Sequence, residues 1–353
     1  MALATDDRAG LKSPQSKKTQ LLLKAAIVRH KKLEFEAAKL IYEEVQKSDP
    51  CNVMSWQLSG LLCCQMKDYE KSIELLSRAI ALEPVHEDSY YHRAISYQEL
   101  GYLEQSFDDY SSALSINREN FHALNNRGNV LKELGRLDEA LSDLDLALVV
   151  KPNYACAFNN RGIVLKELGH IDKALMDYSR ALSLEPHYAE AFYNRAKAFQ
   201  DTGQPENALA DYNKAISLKT NYSAALNNRG LVLKELLRFD EAIGDLNESL
   251  NINPDDHEAY NNLGLVLREL RHFDDALKAL NKALSLEPNY SKGLNNRGNI
   301  LQDLMRFDEA MINYEQAISL TPESAEAFNN RFLALKELGR FDEAMADLNK
   351  AIA

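Results

Sequence analysis

This chain of 353 residues is short of the residue types that mark most specialised protein classes, with four cysteines, one tryptophan, nine prolines and 14 glycines. The cysteines, Cys51, Cys63, Cys64 and Cys156, contain no Cys-x-x-Cys pair and are too few for a disulfide framework, so a reducing compartment is expected. Glycine and proline at this level exclude collagen-like and low-complexity chains. No apolar run approaches the roughly 18 residues that span a bilayer. The opening MALATDDRAGLKSPQSKK also has no apolar core of signal-peptide length. A cytoplasmic location, with the nucleus as the alternative, is expected, with no membrane partner. Positive charge is scarce too: 41 Lys plus Arg against 53 Asp plus Glu gives a net charge of -12. Phosphate neutralisation needs a basic surface, so a nucleic-acid partner is not expected. Residues 1–50 depart from the trend, with ten basic against seven acidic residues.

What the chain has is a period. A shift of 34 residues brings Gly128, Gly162, Gly230, Gly264 and Gly298 onto one position, with Ala94 and Ala196 in the slots between. The same shift connects Ala140, Ala174, Ala208, Ala242, Ala276, Ala310 and Ala344, and connects Pro152, Pro186, Pro254, Pro288 and Pro322. A fixed period of this length is the mark of a stacked array rather than of separate globular domains. Within each period apolar residues recur at helical spacing in two stretches, such as Phe158, Leu165 and Leu168, then Ala174, Leu175, Tyr178, Ala181 and Leu182. Each unit is therefore read as a helix pair. Gly135, Gly169 and Gly339 sit where the first helix should end, Asp138, Asp172, Asp240, Asp274, Asp308 and Asp342 as N-caps of the second, and the prolines beyond its end.

Carried through the chain, the register predicts a polar leader over residues 1–18 and ten units: 19–52 (degenerate), 53–86, 87–120, 121–154, 155–188, 189–222, 223–256, 257–290, 291–324 and an incomplete 325–353. Arg118 and Thr220 replace the proline, and Phe332 replaces the small residue. The last unit has no polar capping helix after it, so an exposed apolar face is expected there, answered by a longer natural chain, by end-to-end self-association or by a partner that covers it. The pattern of large apolar, small, aromatic, Ala, aromatic, Ala and Pro resembles the tetratricopeptide repeat. Trp56, Gly60, Leu76, Ala79 and Pro84 carry it in the second unit, and Phe158, Gly162, Ala174, Tyr178, Ala181 and Pro186 in the fifth. The resemblance implies an all-α, right-handed superhelical solenoid of tandem helix-turn-helix repeats, with ligands in the groove lined by the first helices.

In that groove one slot holds Asn126, Asn160, Asn194, Asn228, Asn262, Asn296 and Asn330. The slot before it holds Asn125, Asn159, Asn227, Asn261, Asn295 and Asn329, with Tyr193 interrupting. Asparagine is a mediocre helix former, so its persistence at one mid-helix slot needs a reason. An amide both donates and accepts, and a series of amides can grip an extended peptide by its backbone. Alternatively, each amide bonds its own neighbour across the repeat boundary. Such a series resembles the superhelical repeats of nucleocytoplasmic O-linked N-acetylglucosamine transferases, whose matching asparagines hold substrate polypeptide. One turn on, Lys132, Lys166, Lys234, Arg268 and Lys336 each precede an acid, offering either selection of ligand side chains or weak ion pairs between repeats. Arg127, Arg161, Arg195, Arg229, Arg297 and Arg331 are expected to cover interface surface with their stems while their charges snorkel outward. The carboxylate clamp of chaperone-binding repeats is absent, since Asn125, Asn159 or Asn227 stands where it needs Lys.

The eight histidines scatter over unrelated positions, and no phosphate loop or metal-ligand spacing appears. No catalytic residue, metal or cofactor is expected. Two functions remain open. One is a non-enzymatic scaffold binding an extended peptide or a partner segment. The other is the substrate-recruiting arm of a glycosyltransferase whose catalytic domain lies outside this chain. The pattern predicts that replacing Asn160, Asn194 and Asn228 with Ala spares the melting curve and weakens partner binding.

Overall fold

The computed structural model describes residues 14–352, with side chains from residue 17 onward, and the leader residues 1–13 lie outside them. Among the described residues there are twenty α-helices and no strand. They fall into two compact units, Met1–Leu184 and Glu185–Ala353. The first unit holds α1 (Pro14–Lys31), α2 (Phe35–Ser48), α3 (Val53–Gln65), α4 (Tyr69–Leu82), α5 (Glu87–Glu99), α6 (Leu103–Ile116), α7 (Phe121–Glu133), α8 (Leu137–Val150), α9 (Ala155–Glu167) and α10 (Ile171–Leu184). The second holds α11 (Ala189–Asp201), α12 (Pro205–Leu218), α13 (Ser223–Glu235), α14 (Phe239–Ile252), α15 (His257–Glu269), α16 (Phe273–Leu286), α17 (Ser291–Asp303), α18 (Phe307–Leu320), α19 (Ala325–Glu337) and α20 (Phe341–Ile352). The leader expected over 1–18 is corrected at its end, because α1 already opens at Pro14, where proline suits a first helical turn.

The order of contacts follows the chain. Each odd-numbered helix packs on the even-numbered one after it, which packs in turn on the first helix of the next pair within its unit. First helices of neighbouring pairs also touch, as α3 does α5, α7 does α9 and α15 does α17, whereas consecutive second helices do not. Within each unit the first helices therefore form the inner, concave layer.

The pairs close through the small position. A Cβ added at Gly162 would lie 2.6 Å from Cε1 of Tyr178, and one at Gly128 or Gly230 would lie 2.9 Å from Cγ of Leu144 or Leu246. Burial is complete there: Tyr178 is only 1% exposed. The exception, Phe332, is half-buried against the cluster that contains Tyr314, Ala334 and Ala344, so α19 and α20 still pair. On its outer side that pair exposes Phe341, Met345 and Ile352. The turn glycines Gly135, Gly169 and Gly339 have φ of 75°, 80° and 73°, the left-handed cap expected of them. Leu33, Lys67, Leu237, Arg271 and Met305 hold the same conformation without glycine's freedom.

Two expectations are corrected. Asp138, Asp240, Asp274 and Asp308 are not N-caps but lie one residue inside their helices, after Arg136, Arg238, His272 and Arg306. Asp172 and Asp342 are likewise the second residues of α10 and α20. Their carboxylates act on the helix dipole from the first turn instead. The second correction concerns the arginines, which do not snorkel outward. Arg127 donates from Nε and Nη2 to both oxygens of Asp143, at 2.6 and 2.7 Å, and from Nη1 to Ser111 Oγ at 3.0 Å. The same fork joins Arg93 to Asp109, Arg161 to Asp177, Arg195 to Asp211, Arg229 to Asp245 and Arg331 to Asp347. These aspartates are buried, Asp347 to 3% exposure, and a bidentate guanidinium is the partner that makes such burial tolerable. The third nitrogen often reaches the second helix of the preceding pair, as from Arg161 to Asp145. A fork with that third bond staples three helices.

The exceptions are matched. Leu263 replaces the arginine where Ala279 replaces the aspartate, both within an apolar environment. Arg297 meets Asn313 and Asn281 rather than a carboxylate, and burial pushes its guanidinium pKa below the usual arginine range.

Two outcomes are expected in urea unfolding. Gly162→Leu should lower the stability of its unit by about 1–3 kcal/mol through overpacking against Tyr178. Asn313→Asp should raise the unfolding midpoint, because it gives Arg297 the charged, bidentate partner it lacks; an unchanged or lower midpoint would show that the fork contributes nothing there.

Candidate functional site

The asparagines lie on the concave layer, and their amides meet in a fixed order. Within a helix the first amide donates to the second, as Asn159 Nδ2 does to Asn160 Oδ1 at 3.2 Å and Asn261 to Asn262 at 3.3 Å. Across the repeat boundary the second amide donates backward to the first amide of the preceding helix. Asn160 reaches Asn125 Oδ1 at 2.9 Å, Asn262 reaches Asn227 at 2.9 Å, Asn296 reaches Asn261 at 2.8 Å and Asn330 reaches Asn295 at 3.1 Å. In the first unit the chain of donors runs unbroken from Asn159 through Asn160, Asn125 and Asn126 to the Tyr91 hydroxyl. Tyr193, which interrupts the series in sequence, does not interrupt it in space: its hydroxyl accepts from Asn228 at 3.0 Å. Burial pushes the phenol pKa of Tyr91 and of Tyr193 up, which keeps both protonated at neutral pH.

This geometry explains asparagine in mid-helix, since every amide described here has a partner better than its own backbone. It also limits what the amides offer a ligand. Asn160 and Asn262 are only 8% and 9% exposed, and Asn125, Asn159, Asn227, Asn261 and Asn295 are buried as well. Asn126, Asn194, Asn228, Asn296 and Asn330 are half-buried, and Asn329 is exposed. Each carboxamide has two donors and two acceptor directions, of which the relay takes about half.

In the second unit the relay borders a cavity of about 420 Å³. Asn227, Asn228, Asn261, Asn262, Asn295 and Asn296 line it from three successive first helices. Leu231 and Leu265 add apolar wall, and Glu258, Lys292 and Glu326 stand at its edge. Asn295 donates to Glu326 at 2.9 Å. Lys132, Lys166, Lys234, Arg268 and Lys336 do not line this cavity. Arg268 instead pairs with Asp303 of the following repeat, the ion-pair alternative for that slot.

Pairings unseen in the sequence account for the remaining groove polarity. Buried tyrosines on the second helices find an acceptor on their own first helix: Tyr110 donates to Gln98, Tyr212 to Gln200 at 2.8 Å, and Tyr314 to Gln302 at 3.1 Å. Where Leu144, Leu246 or Leu280 replaces the tyrosine, Lys132, Lys234 or Arg268 replaces the glutamine. Among the described residues no group of three or more His, Cys, Asp or Glu could hold a metal ion, and no helix is long and apolar enough to cross a membrane.

Models of the tetratricopeptide repeat match residues 55–86, 87–120, 189–222, 257–290, 291–324 and 325–353, and a further repeat model of that type matches 128–169 and 164–203. The chain belongs to the tetratricopeptide-repeat family. No curated protein matches this tetratricopeptide-repeat chain. Among solved structures, a tetratricopeptide repeat protein from Parabacteroides merdae ATCC 43184 is 20% identical over 70% of this chain and 98% of its own, with a TM-score of 0.56. The Cut9-Hcn1 hetero-tetramer of the APC/C is 15% identical over 97% of this chain and 94% of the other, with a TM-score of 0.53. YrrB, described as a TPR protein with an unusual peptide-binding site, is 24% identical over 52% of this chain and 95% of its own, with a TM-score of 0.45. At these identities the likeness is one of fold.

Because the relay joins repeats, Asn262→Ala should destabilise the second unit by about 1–3 kcal/mol, leaving the Asn227 carbonyl and the Asn261 amide without their partner. Hydrogen exchange of α13 and α15 measures this, and unchanged protection would mean that the relay carries no stability. Alkylation offers a second check. Burial pushes the Cys63 thiol up to about 11, so iodoacetamide at pH 7.5 should label the exposed Cys51 well before Cys63.

Proposed function

We propose that this chain is a protein-binding scaffold that holds an extended peptide segment in the groove of its second unit. The observation that carries the reading is the cavity lined by six carboxamides from α13, α15 and α17. Amides already fixed by one another present their remaining N–H and C=O directions without loss of side-chain freedom, and such pre-organised groups bind backbone at low entropic cost. A peptide backbone supplies donors and acceptors in alternation whatever its sequence, so the relay would grip the main chain. Glu258, Lys292 and Glu326 would then choose among side chains by charge. This assigns the asparagines two roles. Those buried deepest only join the repeats, whereas Asn228 and Asn296, half-buried at the wall, bond across repeats as well and would turn their remaining valences to the ligand. The alternative of a glycosyltransferase's recruiting arm rests on the asparagine series alone.

The simultaneous alanine substitution at Asn160, Asn194 and Asn228 does not isolate binding, since Asn160 and Asn228 also bond across repeats. Lys292→Glu separates the two effects, because Lys292 is exposed at the cavity edge. Peptides selected on the full chain from a random library should lose about tenfold or more in affinity with Lys292→Glu at an unchanged unfolding midpoint. Peptides that bind wild type and this variant equally, and that leave α13, α15 and α17 unprotected in hydrogen exchange, would exclude the groove.

A further inference from the structure

The relay gives out toward the start of the first unit, and a different surface takes its place. The slot of Asn126 and Asn160 holds Lys24 in α1 and Leu58 in α3. A second cavity opens there, of about 300 Å³, walled by Ile27, Leu58 and Leu61. Its floor is polar but satisfied: His30 Nδ1 meets the Tyr42 hydroxyl at 3.2 Å and Nε2 meets Gln65 Oε1 at 2.9 Å. Tyr42 is wholly buried, and burial raises its phenol to about 12, so its hydroxyl stays protonated at physiological pH. With both ring nitrogens of His30 engaged, the floor requests nothing further from a ligand. What remains unfilled is apolar volume.

The rim adds a second feature. Leu33 is 72% exposed and lies in the left-handed conformation, with φ of 61°. Gly101, Gly135, Gly169, Gly203 and Gly339 take that conformation at the matching place in other pairs, as do Lys67, Leu237, Arg271 and Met305, of which Leu237 and Met305 are as exposed as Leu33. A leucine there places an apolar side chain in water on a backbone that disfavours it. Lys31 also lines the opening, and Lys24 and Ile27 share its helix face at spacings of seven and four. Lys24 and Lys31 are exposed, and neither has a carboxylate at ion-pair distance among the described residues. In a chain of net charge -12 this is a local surplus of positive charge.

We infer that the α1–α3 cavity is a separate docking subsite for a partner protein segment that carries one bulky apolar side chain, leucine or phenylalanine, flanked by acidic residues. The apolar side chain fills the space between Ile27, Leu58 and Leu61 under Leu33, and the flanking carboxylates meet Lys24 and Lys31. A volume near 300 Å³ sits at the lower end of ligand pockets and leaves room for one such side chain. Deep anchors of this kind supply most of the energy of a peptide interface, and the charges steer the encounter. The subsite does not depend on the asparagine groove.

The test uses the full chain and a random dodecapeptide phage library, with selected sequences remade as fluorescein-labelled peptides and measured by fluorescence anisotropy. Peptides with a leucine or phenylalanine beside Asp or Glu are expected. Their affinity should fall about tenfold or more with Leu58→Ala and with Lys31→Glu, and stay unchanged with Lys292→Glu. Lys31→Glu changes only an exposed side chain, so it reads the subsite without risk to the fold. If no acidic-apolar peptide is selected, or if the selected ones ignore both substitutions, the proposal is overturned. It is overturned equally if sedimentation velocity shows that a second copy of the chain fills the cavity, as a concentration-dependent dimer that Leu61→Asp dissolves. Loss of affinity with Lys292→Glu alone would uphold the second-unit groove and reject this subsite.

Discussion

An offset of sixteen residues governs the molecule. It brings Gly128 against Leu144, Gly162 against Tyr178 and Gly230 against Leu246, and one position earlier it brings Arg127 to Asp143, Arg161 to Asp177 and Arg229 to Asp245. The close approach and the ion pair are thus one constraint expressed through neighbouring side chains. A small residue lets the two helices come near enough for a short aspartate to meet the guanidinium, and the guanidinium holds the register in which the small residue faces its partner. Burial of such a pair is costly unless its geometry is satisfied on all sides. The third nitrogen, bonded to the preceding pair at Ser77, Ser111 or Asp145, extends this satisfaction between repeats.

Much of this could be read from the sequence, because a period of 34 repeats a local pattern and local patterns dictate helices. The small, Ala and Pro series located both helices of each pair, and Gly135, Gly169 and Gly339 located the turns between them. What escaped was the register of one helix against another. The arginine series stood in plain view, and so did the aspartates Asp109, Asp143, Asp177, Asp211 and Asp245 at the same period, but the two series lie on different helices and only the packing of those helices shows that they meet. Matched exceptions carried the missing signal: arginine and aspartate are lost together at Leu263 and Ala279. Gln98, Gln200 and Gln302 accompany Tyr110, Tyr212 and Tyr314, although Tyr178 stands opposite Lys166. Asp138, Asp274 and their counterparts lie two positions beyond the N-cap expected of them, and the residue that does precede the helix is Arg or His, which caps nothing through its side chain.

For the asparagines the geometry shows the inter-repeat reading of the series, and peptide binding is the proposal built on it. The bonds between Asn160 and Asn125 and between Asn262 and Asn227 account for burial and for mid-helix asparagine. The open valences of the same amides around the second-unit cavity are what a peptide backbone would use. Tyr193 looked like an interruption only because sequence compares residue types, whereas the relay needs an acceptor at that point and a phenol oxygen supplies one.

Because every link of the relay runs from one helix to the corresponding residue of its neighbour, it is indifferent to how many helices there are and intolerant of any change in their phase. Adding or removing a block of 34 residues between Asn227 and Asn296 would leave each carboxamide with an equivalent partner, and a single inserted residue in α15 would strand several at once. An array bonded in this way can change length during evolution by unequal exchange between its own copies.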